Sequence, residues 1–197
     1  MPTMTIFEPL FLLCVLATIV VLASALVAAL RGRSAHAKSK LGTLGICAGV
    51  YLALVLVVSA ASSRKVYRVG VPQCFDDWCI TVARATRDGA GHVNVDLTLT
   101  SRARRVPQAE KGTVVYLSDA QGRRFDPEPM AGTIPLDTRL QPGQSVDAPR
   151  RFTVPADARD LGLVYTHEGG FPIGFFIIGE NELFHGPPIV MLGDARP

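Results

Sequence analysis

The sharpest local chemistry in this 197-residue chain is a pair of cysteines, Cys74-Phe-Asp-Asp-Trp-Cys79. Four intervening residues can close a small ring. A structural disulfide is expected, tying the preceding linker to the first strand and fixing Trp78. A redox-active pair normally has two intervening residues and a helix N-terminus that lowers the thiol pKa, and this segment has neither. Thiolates at Cys74 and Cys79 with imidazoles at His92, His167 and His185 would suit copper, and Met130 and Met191 add thioethers. No two of these histidines have the i, i+2 or i, i+4 spacing of a preassembled site. Metal binding therefore stands as the alternative, and no metal is favoured. Asp76 and Asp77 are neighbours, so on a strand they would point to opposite faces and could not converge as a catalytic pair. There is no Gly-x-Ser-x-Gly nucleophile elbow and no phosphate-cradling loop. No catalytic residue, cofactor or small-molecule substrate is expected.

The elements that must position these residues follow from charge and hydropathy. Mean hydropathy is +0.28, charged residues are only 19% and the net charge is +3. Disorder requires the opposite combination. The charge is not spread evenly. Of 17 Asp+Glu, Glu8 alone precedes residue 64, and of 20 Lys+Arg, Arg31, Arg33, Lys38 and Lys40 alone do. The remainder is charge-balanced, which argues against nucleic-acid binding by the larger part.

Residues 10–30 and 41–63 are uncharged apolar runs, each long enough to cross a bilayer as a helix. A cleaved signal peptide would carry a basic start, which residues 1–9 lack. The basic segment 31–40 is read as a cytoplasmic loop, with a lipid-specific or nucleic-acid patch as the sharper alternative. By the positive-inside rule, the tail 1–9 and everything after residue 63 then lie outside. This places a two-pass protein in a bacterial inner membrane with its larger domain in the periplasm. Gly45-x-x-x-Gly49, extended by Ala53, has the small-residue spacing that lets helices approach closely. Packing against the first span is expected, and docking onto another membrane protein is the alternative. No Asp, Glu, His, Lys or Arg interrupts either span, so no ion or proton path is expected there.

After a linker at 64–73, residues 74–197 read as all-β. Val93, Val95, Leu97 and Leu99 alternate with polar residues, the period of a half-buried strand. Further strands are expected near 78–86, 113–118, 144–154, 160–166, 173–178 and 187–192. The run 173–178 is apolar on both faces and should be central. Turns are marked by Asp88-Gly89, Gln121-Gly122, Pro142-Gly143 and Gly169-Gly170.

Residues Leu140-Gln-Pro-Gly143, Phe152-Thr-Val-Pro155 and Leu161-Gly-Leu-Val164 follow one another with short spacers. This grammar resembles that of immunoglobulin-like sandwich domains of unknown function on bacterial membrane-anchored and secreted proteins, over roughly 75–192. The resemblance implies a structural or interaction role and carries over no catalytic site. The fold expected is a two-helix transmembrane hairpin followed by an all-β immunoglobulin-like sandwich. Trp78, Phe184 and His185 are candidate contact residues, with Phe184 at the tip of an exposed hairpin loop. The partners expected are the lipid bilayer and other membrane-protein subunits.

Overall fold

The computed structural model describes residues 7–88, 90–168 and 182–193. They fall into two compact units: residues 7–63 with 182–186, and residues 64–168 with 187–193.

The first unit is helical. Helices α1 (Phe7–Leu30) and α2 (Ser34–Ala61) are joined by Arg31-Gly32-Arg33, where Gly32 takes the positive φ of 73° that reverses the chain. The basic segment is therefore not a ten-residue loop. Residues 34–40 form the first turns of α2, because Ala, Ser and Lys permit helix and no Gly or Pro stops it before Gly42. Both helices are long and apolar enough to cross a membrane. A single turn, α3 (Glu182–His185), packs against α2. The hairpin loop expected around Phe184 is thus a helical turn, and it belongs with the helices rather than with the sandwich.

The second unit is a two-sheet sandwich. One sheet has the order β1 (Val66–Arg68), β10 (Ile189–Met191), β9 (Gly162–His167), β5 (Thr113–Ser118), β6 (Arg124–Phe125). The other runs β2 (Gln73–Phe75), β3 (Trp78–Arg87), β4 (His92–Ser101), and then both β7 (Ser145–Asp147) and β8 (Arg150–Thr153) along the far side of β4. The expected strand 144–154 is split. Ala148 N–H still donates to Leu97 O at 2.8 Å, but Pro149 has no N–H to continue the ladder. The linker expected at 64–73 also contains structure. β1 pairs in parallel with β10, so the sandwich begins at residue 64. The expected strand 173–178 and the Gly169-Gly170 turn lie outside the described residues. Among the described strands β9 holds the central place, and Gly162 to Tyr165 are buried on both faces.

Alternation builds the core. Val93, Val95, Leu97 and Leu99 of β4 face Val115 and Leu117 of β5 and Leu163 of β9, all 3% exposed or less. Phe152 and Leu140 fill the space between the sheets. A methyl added at Gly162 would run into the Ile189 side chain on β10, which would have to shift to admit it.

Asp119 shapes the turn between β5 and β6. Its carboxylate accepts the N–H groups of Gln121 (3.0 Å) and Arg123 (2.9 Å) and the Arg123 Nε at 2.6 Å. Burial pushes this carboxyl up, and the Arg123 and backbone hydrogen bonds outweigh it, so it titrates below the ordinary aspartate value. A carboxyl lowered on folding adds stability above its unfolded pKa, and that stability is lost as pH falls through the folded one. The urea midpoint should thus drop as the pH falls below about 5, and Asp119→Asn should flatten that leg. An unchanged acid leg in the variant would refute the assignment.

Candidate functional site

The cysteines are brought together by hairpin register. β2 and β3 pair antiparallel with Cys74 opposite Cys79 and Phe75 opposite Trp78, leaving Asp76 and Asp77 as a two-residue turn. Asp76 takes a φ of 49°, the left-handed value that tight hairpin turns require and that Asp tolerates. Directly opposed strand positions lie close enough for a disulfide, and Cys74 and Cys79 form one. The same register puts Trp78 on the inward face with Ile80 and Val82. At 1% exposure Trp78 is a core residue, which corrects its expected place as a contact residue.

Phe75 binds this hairpin to the opposite sheet. Its ring lies 6.1 Å from Trp78, 5.8 Å from Tyr165 and 4.4 Å from His167, the last two edge-on. The Tyr165 hydroxyl donates to Gln73 Oε1 at 3.0 Å, and burial pushes its phenol pKa up. Composition signalled neither contact, because the strands concerned are 90 residues apart in sequence. The ring closed by the disulfide is short, so replacing Cys74 and Cys79 together by serine should cost only about 2 kcal/mol, read as a lower denaturant midpoint. A loss of folding would mean that the aromatic cluster does not hold the hairpin.

The remaining candidate ligands are dispersed. His92 Nδ1 meets Asp88 Oδ2 at 3.1 Å, at the end of β4 opposite to Ser101, which pairs with Trp78. His167 Nε2 lies 2.8 Å from Glu110 Oε1 and 3.4 Å from Thr113 Oγ1. Both oxygens converge on one ring nitrogen. A nucleophile–base–acid relay needs them on the two different nitrogens, so Thr113 is not activated by this histidine. His185 Nε2 donates to Ser59 O at 2.8 Å within the helical unit. Among the described residues no three His, Cys, Asp or Glu are grouped as metal ligands. The expected alternative set Cys74, Cys79, His92, His167 and His185 is not assembled: the two sulfurs are bonded to each other, and the histidines have separate partners.

A cleft of about 510 Å³ opens beside β5, β6 and the start of β8. Arg150 lines it, 9% exposed, and gives its N–H groups to backbone oxygens of Ala148 (3.2 Å), Pro149 (2.9 Å) and Ile134 (2.8 Å). Burial lowers its pKa. Arg124 lies over the Tyr116 ring at 4.2 Å and pairs with Asp126 at 2.7 Å. These arginines tie loops together. The cleft lining contains no Ser, Cys or His to act as nucleophile or base.

In the helical unit, the buried residues of α2 are Ala37, Val55 and Ser59. They mark one stripe. At 100° per residue Gly49 and Ala53 lie about 80° or more round the helix from the edge of this stripe and Gly45 about 40°, and all three are exposed. A methyl added at Gly45 or Gly49 would meet no described residue within 4 Å. The expected packing of these residues against the first helix is therefore corrected. α2 is apolar nearly all round, so sequence could not tell which face would meet α1. Phe184 on α3 is 54% exposed, whereas the half-buried His185 is engaged with Ser59.

The arrangement defines a two-sheet β-sandwich unit with two long apolar helices before it. No known family model matches the chain, and no curated protein does. Among solved structures, MPT63, a secreted protein from Mycobacterium tuberculosis, is similar at 10% identity and a TM-score of 0.43, over 66% of this chain and 98% of its own. The yjhA protein from Bacillus subtilis is similar at 16% identity and a TM-score of 0.33, over 50% of this chain and 79% of its own. Neither likeness bears on what this chain does.

Proposed function

We propose that this is a non-catalytic, two-pass protein of a bacterial inner membrane, an accessory or structural subunit of a larger membrane complex. Its N-terminus and its β-sandwich lie on the periplasmic side. The observation that carries the reading is the exposed small-residue face of α2, Gly45, Gly49 and Ala53, where no described residue lies within 4 Å of a methyl added at either glycine. In lipid, helices associate by close backbone approach rather than by hydrophobic burial. Exposed apolar side chains along both helices, such as Leu16 at 59% and Val57 at 65%, suit acyl chains better than water. The balanced charge of the sandwich favours a contact role over nucleic-acid binding.

The immunoglobulin-like assignment rests on strand order. With β3, β4 and β7/β8 taken as A, B and E, and β5, β6, β9 and β10 as C, C′, F and G, one sheet reads A-B-E and the other G-F-C-C′. That is the arrangement of this class of sandwich.

Extraction of the full-length chain from native membranes in mild detergent tests the subunit reading. Co-migration with another membrane protein in fixed ratio is expected. A lone monomer in the native extract overturns it.

A further inference from the structure

α1 and α2 do not close on each other along their whole length. Between them runs a groove of about 690 Å³. Its walls are largely apolar, with Val15 and Val21 from α1 and Leu44 and Ala48 from α2. Its end near the Arg31–Arg33 turn is different: Ser24, Ser39, Lys40 and Thr43 line it there. Ser24 donates its hydroxyl proton to Val21 O at 2.8 Å and accepts Lys40 Nζ at 3.0 Å. The exposed lysine is thereby tethered at the groove's end. An ammonium carries three donors, so two remain for another acceptor.

Among the described residues no carboxylate neutralises it. The sequence has no acidic residue between Glu8 and Asp76, and Lys40 forms no ion pair with a described residue. Arg31, Arg33 and Lys38 add positive charge around the same end. Depth matters as well. α2 has 28 residues, about 42 Å at 1.5 Å each, against about 30 Å of hydrocarbon. With Ala61 at the far boundary, residues 34–40 sit at the level of lipid headgroups. Lys40 then marks the border between phosphate and acyl chain.

We propose that this groove binds an anionic phospholipid, one acyl chain lying between α1 and α2 and the headgroup phosphate meeting Lys40. The proposal rests on the reading of α1 and α2 as a membrane hairpin. Charge selects the lipid class: a net-negative headgroup gains from the basic cluster, whereas a zwitterionic one brings its own cation to it. The apolar wall selects lipid over free phosphate, which has no chain to bury there.

The test uses the full-length protein in neutral detergent micelles, with phosphatidylglycerol, phosphatidylcholine or inorganic phosphate added and the retained ligand read by native mass spectrometry. Retention of one phosphatidylglycerol in clear preference to phosphatidylcholine, with no retained phosphate, is expected. Lys40→Gln should lower that retention about fivefold. Ala48→Phe, which fills the apolar wall and leaves the lysine, should lower it too. Equal retention of the two lipids, loss of neither in the variants, or retention of phosphate alone overturns the proposal. A carbonate wash of native membranes separates the two levels. Protein that stays in the membrane but shows no lipid preference defeats only the groove site. Protein released by the wash defeats the hairpin reading beneath it.

Discussion

Replacing Gly45 and Gly49 together by leucine should abolish assembly with a partner while leaving the protein itself intact. No described residue lies within 4 Å of a methyl added at either glycine, so a larger side chain there should project from an exposed face of α2. Two leucines would hold a partner helix away from the α2 backbone and remove the close contacts on which association in lipid depends. Co-extraction should fall by at least about tenfold. Two readouts guard the interpretation. Cys14 and Cys47 line the same interhelical groove, so bridging them with a bis-maleimide reports α1–α2 packing and should be unchanged. The melting temperature of the sandwich should also be unchanged. If bridging is lost instead, these glycines face α1 after all. If co-extraction survives, the partner uses another face.

Phe152→Ala should produce the largest loss of stability in the sandwich. Phe152 is fully buried on β8, opposite Val93 of β4 and bridged to Pro127. It fills space between the two sheets, where neighbours held by ladders cannot collapse to follow it. Truncating a buried phenylalanine costs about 3–5 kcal/mol, which for a domain of this size lowers the melting temperature by roughly 10–20 °C. Trp78 is the one tryptophan of the chain and lies in the same core, so its fluorescence follows this unit alone. Val114→Ala on the outward face of β5 is the control, expected within about 0.5 kcal/mol of the parent. A Phe152→Ala shift no larger than the control's would contradict the packing of the two sheets around this ring.

Much of the architecture was legible locally. The alternation from Val93 to Leu99 fixes a strand whichever partner it finds, because side chains point to opposite faces at a period of two. The two uncharged runs fix two long helices, and the short spacing of Cys74 and Cys79 points to a disulfide, which the β2–β3 register then closes. Strands as short as β1 and β6 left no periodic trace, since two or three residues cannot display a period. β1 exists because β10 offers it a partner more than a hundred residues away.

The candidate contacts divide in the same way. By itself the sequence determined where charge lies, where apolar length suffices for a helix, and where strands alternate. These depend on neighbours in the chain. Tertiary structure decided which faces meet. The two-residue Asp76-Asp77 turn sets the parity that sends Trp78 inward, and sheet pairing brings His167 against Phe75. The nearly uniform apolar surface of α2 gives no sequence signal for its inward stripe. Only packing by α1 and α3 selects one, leaving Gly45, Gly49 and Ala53 exposed.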